Sequence, residues 1–217
     1  GPTGWQDYTS VRFVGTNELM VSTLNGAALF DTNSYTVIED WNIEGSSSEA
    51  PIVQHNGIIY LGLEGKGILR YDTNTNVWMS SWNSANGLLP TDELTTLVLD
   101  DTRSMLWAGG EFGLAQINIQ NNSLDDQIDQ DTNGLNGNPP QKLLIHDDIL
   151  YYVPVLSSWE WADIAKIDLT NNSGMDVIGV GEGHELAGGD CSDCDDAYIH
   201  GVNIIGDTMM LGVSEAQ

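Results

Sequence analysis

The residues equipped for chemistry fall in three short stretches. Asp129-Gln130-Asp131-Thr132-Asn133-Gly134 sets oxygen donors at alternate positions ahead of a glycine, as the opening of a calcium loop does. Asp129, Asp131 and Asn133 are therefore candidate Ca2+ ligands. The twelfth position holds Pro140 where such loops carry a bidentate Glu, and Asn133-Gly134 also reads as ordinary turn punctuation. Trp159-Glu160-Trp161-Ala162-Asp163 places two indoles beside two carboxylates. Trp159, Glu160, Trp161 and Asp163 suit a sugar ring or a protein partner; the same tryptophans also suit a local core at a sheet edge. Cys191 and Cys194, the two cysteines of the chain, read as a small disulfide loop of a secreted protein.

Around that loop lie Glu182, Glu185, Asp190, Asp193, Asp195 and Asp196, either a cation site or a solvated acidic loop. His184 and His200 complete a nominal zinc set with the cysteines, but its spacings match no common zinc module. One Cys-x-x-Cys without a following helix is weak ground for redox catalysis. There is no nucleophile elbow and no His-Glu-x-x-His, while a dispersed Ser/His/Asp triad leaves no local signature.

The elements that must carry these residues come from a repeat. Phe30-Asp31 superposes on Tyr71-Asp72 and Trp41 on Trp82, both at a spacing of 41. Asp-Thr-Asn recurs after both aromatics. Trp107 matches Tyr60, and Ile117-Asn118 matches Tyr71-Asp72; a fourth copy spans Asp148 to Gly179, and a fifth starts at Val202. Each copy reads as four short strands. A bulky residue centres the second (Met20, Tyr60, Trp107, Tyr151, Met210), and Asn, Asp or Gly mark the turns. No sustained helical period is present. The prediction is an all-β β-propeller of four-stranded antiparallel blades, about five in number. They cover 9–41, 50–82, 94–128 and 141–179, with a partial blade from 200–217 and 4–8. One meander cannot bury both faces, whereas stacked blades can.

The repeat also decides what the glycines of Ser104–Asn118 do. A phosphate loop opens a helix whose N-terminal amides face the anion. Here Gly109, Gly110 and Gly113 precede a strand, as Gly62, Gly65 and Gly67 do one copy earlier, so they are turn residues.

Asn86-Gly87-Leu88-Leu89-Pro90, Asp100, and Leu106-Trp107-x-Gly109 through Gly113-Leu114 resemble the two-component-regulator propeller repeat. Gly110 stands where that family often has Thr, and Leu89 is an extra residue. The resemblance covers about two thirds of the chain. It implies an extracytoplasmic propeller, often a sensor's ligand-binding part or a module of a large secreted protein, and no catalytic residues.

Composition sets the outer limits. The chain has 217 residues, with six Lys+Arg against 32 Asp+Glu and a net charge of −26. Such a field repels nucleic acid and anionic membranes and favours cations or saline surroundings. No run of 18 apolar residues exists. Gly1-Pro2 reads as a protease scar. The expected location is extracellular, cell-surface or periplasmic, within a larger parent chain.

In a meander, the second-to-third and fourth-to-first connections share one face. Met20 to Phe30, Tyr60 to Tyr71 and Trp107 to Ile117 span ten or eleven positions, and Tyr151 to Ile167 spans sixteen. The extra length holds Trp159 and Trp161, and the cysteine segment is a long connection on the same face. The expected function is therefore a non-enzymatic binding or scaffold module with a glycan or protein ligand on that face. The alternative is the ligand-sensing domain of a membrane signalling protein. A carbohydrate-active enzyme such as a polysaccharide lyase fits less well, because it needs a basic group to neutralise a uronate and the chain has few cations.

Overall fold

A computed structural model describes residues 8–23, 26–42, 50–129, 135, 139–154, 164–170, 175–178, 197–205 and 208–215. Among these the chain is almost wholly strand, and the one helical element is a 3-10 turn at Ser84–Asn86. Four four-stranded antiparallel sheets follow in chain order. Blade 1 is β1 (Tyr8–Phe13), β2 (Glu18–Thr23), β3 (Gly26–Asp31) and β4 (Thr36–Asn42). Blade 2 is β5 (Ile52–His55), β6 (Ile58–Leu63), β7 (Gly67–Asp72) and β8 (Val77–Trp78). Blade 3 is β9 (Leu94–Asp100), β10 (Met105–Gly110), β11 (Gly113–Asn118) and β12 (Ser123–Ile128). Blade 4 is β13 (Pro140–His146), β14 (Ile149–Pro154), β15 (Ile164–Asp168) and β16 (Met175–Ile178). A two-stranded sheet of β17 (Ala197–Ile205) and β18 (Thr208–Glu215) comes last. Within every blade each strand pairs with its sequence neighbour, so the meander is complete, and β1 takes up Tyr8 as its first residue.

First strands meet first strands: β1 lies against β5, β5 against β9, β9 against β13, and β13 against β17. Blades therefore stack about a common inner row, which is the propeller arrangement.

The core sits between the blades, because a strand's side chains alternate faces. One buried cluster joins blades 1 and 2 through Met20, Leu29, Ile59, Leu61 and Tyr71. A second joins blades 2 and 3 through Tyr60, Ile68, Trp82, Leu97, Leu106 and Ile117. The third joins blades 3 and 4 through Trp107, Leu114, Leu143, Leu150, Tyr152 and Ile167. Met20, Tyr60 and Trp107, the recurring second-strand residues, thus each face the following blade. Tyr71, Ile117 and Ile167, the recurring third-strand residues, face the preceding one.

The 41-residue spacing of the two tryptophans is a register relation. Trp41 pairs with Ala27 on β3, and Trp82 bridges Ile68 on β7, the same place one blade on. Trp41 then packs edge-on against Tyr71 of the next blade at 4.8 Å between ring centroids.

The glycines after Trp107 close a strand turn, as the sequence indicated: β10 ends at Gly110, Glu111-Phe112 turn, and β11 begins at Gly113. Gly109 is required by a close approach. A Cβ there would run into Pro140 of blade 4 and lie 2.9 Å from Thr96 on the neighbouring strand.

Candidate functional site

Antiparallel alternation gives the stack two unlike faces. One carries the first-to-second and third-to-fourth turns, and these are short and tied together. Asp31, Asp72, Asn118 and Asp168 open the third-to-fourth turns with the same hydrogen bond. Their Oδ1 atoms accept from the backbone N–H two residues on, at Asn33 (2.7 Å), Asn74 (2.8 Å), Gln120 (3.0 Å) and Thr170 (2.8 Å). Backbone N–H donation, first of all, holds the Asp31 carboxyl below its usual range; the Thr75 hydroxyl does so for Asp72.

The next residue ties this turn to the other. The Thr32 N–H donates to Asn17 O, that of Thr73 to Gly57 O, that of Ile119 to Ser104 O, and that of Leu169 to Asp148 O, all within 2.8–3.1 Å. The hydroxyls of Thr32 and Thr73 double the bond. Consecutive blades are pinned on this face as well. His55 Nδ1 lies 2.6 Å from Asp101 Oδ1. Arg103 donates to buried Asp100 at 2.9 Å and to Asp148 of blade 4 at 2.6 Å, and the Asp148 and Asp100 bonds push its pKa above the ordinary value. Behind these turns Arg70 donates through Nε to Ser80 O and through Nη1 to Asn122 Oδ1 of blade 3, and stacks 4.4 Å over Trp82. Burial lowers its pKa. A face so stapled is a frame, with little freedom to reshape around a ligand.

The opposite face holds the connections of unequal length. The 64–66 turn meets the 79–93 connection through Gly65 N–H on Asp92 O at 2.9 Å. Asp92 Oδ1 in turn accepts from Ser84 N–H at 2.6 Å, where Asn83 caps the 3-10 turn. Gly87 follows in the left-handed region at φ 75°, and Leu89 drops into the core between blades 2 and 3. The next connection does likewise: Leu135 is buried between blades 3 and 4. Asn133-Gly134 thus leads into a core anchor at Leu135, as Asn86-Gly87 leads to Leu89. Glu93, Glu111 and Lys66 are exposed on this face and Glu64 is half-buried. The described surface is acidic, which disfavours anionic ligands.

The sequence-derived candidates divide as follows. Asp129 is exposed just after β12. Asp131, Asn133, Trp159, Glu160, Trp161, Asp163, Cys191 and Cys194 lie outside the described residues. The strand ends flanking 155–163 are Pro154 of β14 and Ile164 of β15, on the same side as Gly110 and Gly113. Among the described residues no group of three or more His, Cys, Asp and Glu side chains is placed to hold a metal ion. Also among them, no helix is long and apolar enough to cross a membrane.

Sequence reasoning missed Arg103, Asp148, His55 and Asp101. Their partners stand 45 and 46 residues apart, one repeat length, and that offset is the signal that finds them.

No protein-family model and no curated protein matches the chain. Solved structures do. The extracellular domain of BT4673 from B. thetaiotaomicron, described as a one-component system, superposes with a TM-score of 0.71 at 13% identity, over 95% of this chain and 27% of that one. The extracellular domain of BT3049 from the same organism, described as a hybrid two-component system, gives 0.60 at 14%, over 79% and 24%. The WD40 repeats of RRP9 give 0.60 at 11%, over 79% and 50%. The fold is thus that of a β-propeller, and the chain spans about a quarter of the length of the two bacterial domains. The repeat resemblance read from Asn86–Asn118 agrees with these neighbours.

Proposed function

We propose that the chain is a propeller segment of an extracytoplasmic module that binds its ligand without transforming it. Its fold likeness to the extracellular domain of BT4673 carries the reading. The contrast between faces supports it: the stapled face is a frame, and the face of unequal connections is where a binding surface can vary. Trp159, Glu160, Trp161 and Asp163 are the proposed contacts, and a neutral glycan or a protein surface is the proposed ligand, since the acidic surroundings disfavour uronates and phosphates. The descriptions of BT4673 and BT3049 favour a second reading, in which the module is the sensing region of a signalling receptor. Asp129, Asp131 and Asn133 are proposed as a Ca2+ site, and Cys191–Cys194 as a disulfide that pins the neighbouring acidic connection.

The test is calorimetric titration of the chain with a panel of neutral and acidic oligosaccharides, repeated on Trp159→Ala/Trp161→Ala. A neutral glycan should bind, and the double variant should lose at least about tenfold in affinity at unchanged melting temperature. A panel without a binder, or equal binding by the variant, removes the glycan platform. For the cation, an identical melting midpoint in calcium and in EGTA removes the Ca2+ site.

A further inference from the structure

The geometry points to a docking surface on the outer side of blade 1, and its occupant is one more four-stranded blade of the same repeat, preceding β1. The argument is register. In blade 3 one residue from each strand forms a row across the sheet, Leu99–Leu106–Ile117–Leu124. That row packs on blade 2. In blade 2 the matching row is Gln54–Ile59–Tyr71–Trp78, and its apolar members pack on blade 1. In blade 4, Ile145–Leu150–Ile167 packs on blade 3.

Blade 1 carries the same row, Phe13–Leu19–Phe30–Val37. Its members are as apolar as those of blade 3, yet its ends face solvent. Phe13 is 64% exposed and Val37 42%, with Val11 of the adjacent row at 57%. In the later blades the matching end residues Leu99, Ile145, Trp78 and Leu124 are half-buried, and the middle residues Ile59, Leu106, Ile117 and Leu150 are fully buried where Leu19 and Phe30 of blade 1 are only half-buried. Three successive interfaces use one row, so the fourth copy of that row is an interface of the same kind. The occupant's chemistry follows from the partners already seen. It is an antiparallel blade whose second strand centres a Met, Tyr or Trp, because Met20, Tyr60 and Trp107 are what the preceding blade inserts each time. The row lies on a sheet face, away from the connections that form the ligand surface, so the two readings stand or fall separately.

The test supplies such a blade. A copy of residues 94–139, which includes blade 3 and its outgoing connection, is joined ahead of residue 1 of the full chain. Melting is followed with and without Phe13→Glu. The extended chain should unfold in one transition with its midpoint raised by about 5 °C. Phe13→Glu should leave the original chain within about 1 °C and abolish the gain in the extended one. A separate transition for the added blade, an added blade that stays unfolded, or Phe13→Glu acting equally in both proteins would overturn the proposal, since a lone meander gains stability only by docking.

Discussion

At the scale of single residues, the recurring Asp-Thr-Asn is a small machine with separable parts. The Asp oxygen caps the turn, and the Thr hydroxyl and N–H bind the neighbouring turn. The depressed pKa of Asp31 and Asp72 has a defined sign. A carboxyl whose folded pKa is lowered adds stability above its unfolded value, near about 4, and that stability is lost as pH falls through the folded pKa. Asn118 shows that an amide oxygen serves the same turn without titrating. Asp31→Asn/Asp72→Asn should therefore keep the fold and lose less melting temperature than the parent between about pH 5 and pH 2; circular dichroism melts across that range measure it, and parallel slopes would refute it. The residue four places on is left-handed in three blades: Tyr35 (φ 55°), Asn76 (φ 56°) and Asn122 (φ 55°). Asn adopts that conformation at less cost than Tyr. Because Tyr35 is 90% exposed, Tyr35→Asn should stabilise by about 0.5–1 kcal/mol, seen as a higher urea midpoint at constant slope. The turn itself was legible because Asx capping is local. The carbonyls that Thr32 and Thr73 reach, on Asn17 and Gly57, were not, because they belong to another turn.

At the scale of elements, the seams between blades are partly polar. Arg103 matters through Asp100, which is 2% exposed and would be left without its ion pair. Arg103→Met should cost about 2–3 kcal/mol in denaturant unfolding. Asp148→Asn removes only the half-exposed partner, in a left-handed position (φ 61°) that Asn accepts, and should cost under about 1 kcal/mol. Equal costs would mean that Asp100 is satisfied without Arg103. The strands themselves were readable from alternation and turn residues. Which neighbour each side chain faces was not. Of the adjacent pair Tyr151 and Tyr152, the repeat alignment marks Tyr151, while Tyr152 is the one fully buried against blade 3. Adjacent strand residues point to opposite sides, and with both sides covered by a blade, hydrophobicity alone cannot rank them.

At the scale of the whole molecule, the described residues have no single apolar centre. Its apolar burial is divided among interfaces in series, each between nearest neighbours. The ring architecture was legible because identical marks recur at one blade's spacing. The sequence-derived binding residues rest on departures from that spacing, which carry length but no geometry. Stability should propagate accordingly. Trp107→Ala, opening the interface between blades 3 and 4, should cost about 3–5 kcal/mol. Amide exchange should quicken in β9–β16 while β1–β4 keep their protection, and uniform acceleration would instead indicate one cooperative unit. The stapled face has a consequence for how such a molecule changes over time. Because the side-chain ties His55–Asp101, Arg103–Asp148 and Arg70–Asn122 lie with the short turns or behind them, a connection such as 155–163 can lengthen, shorten or be replaced without touching them, so drift in what is recognised and conservation of those ties are free to proceed at different rates.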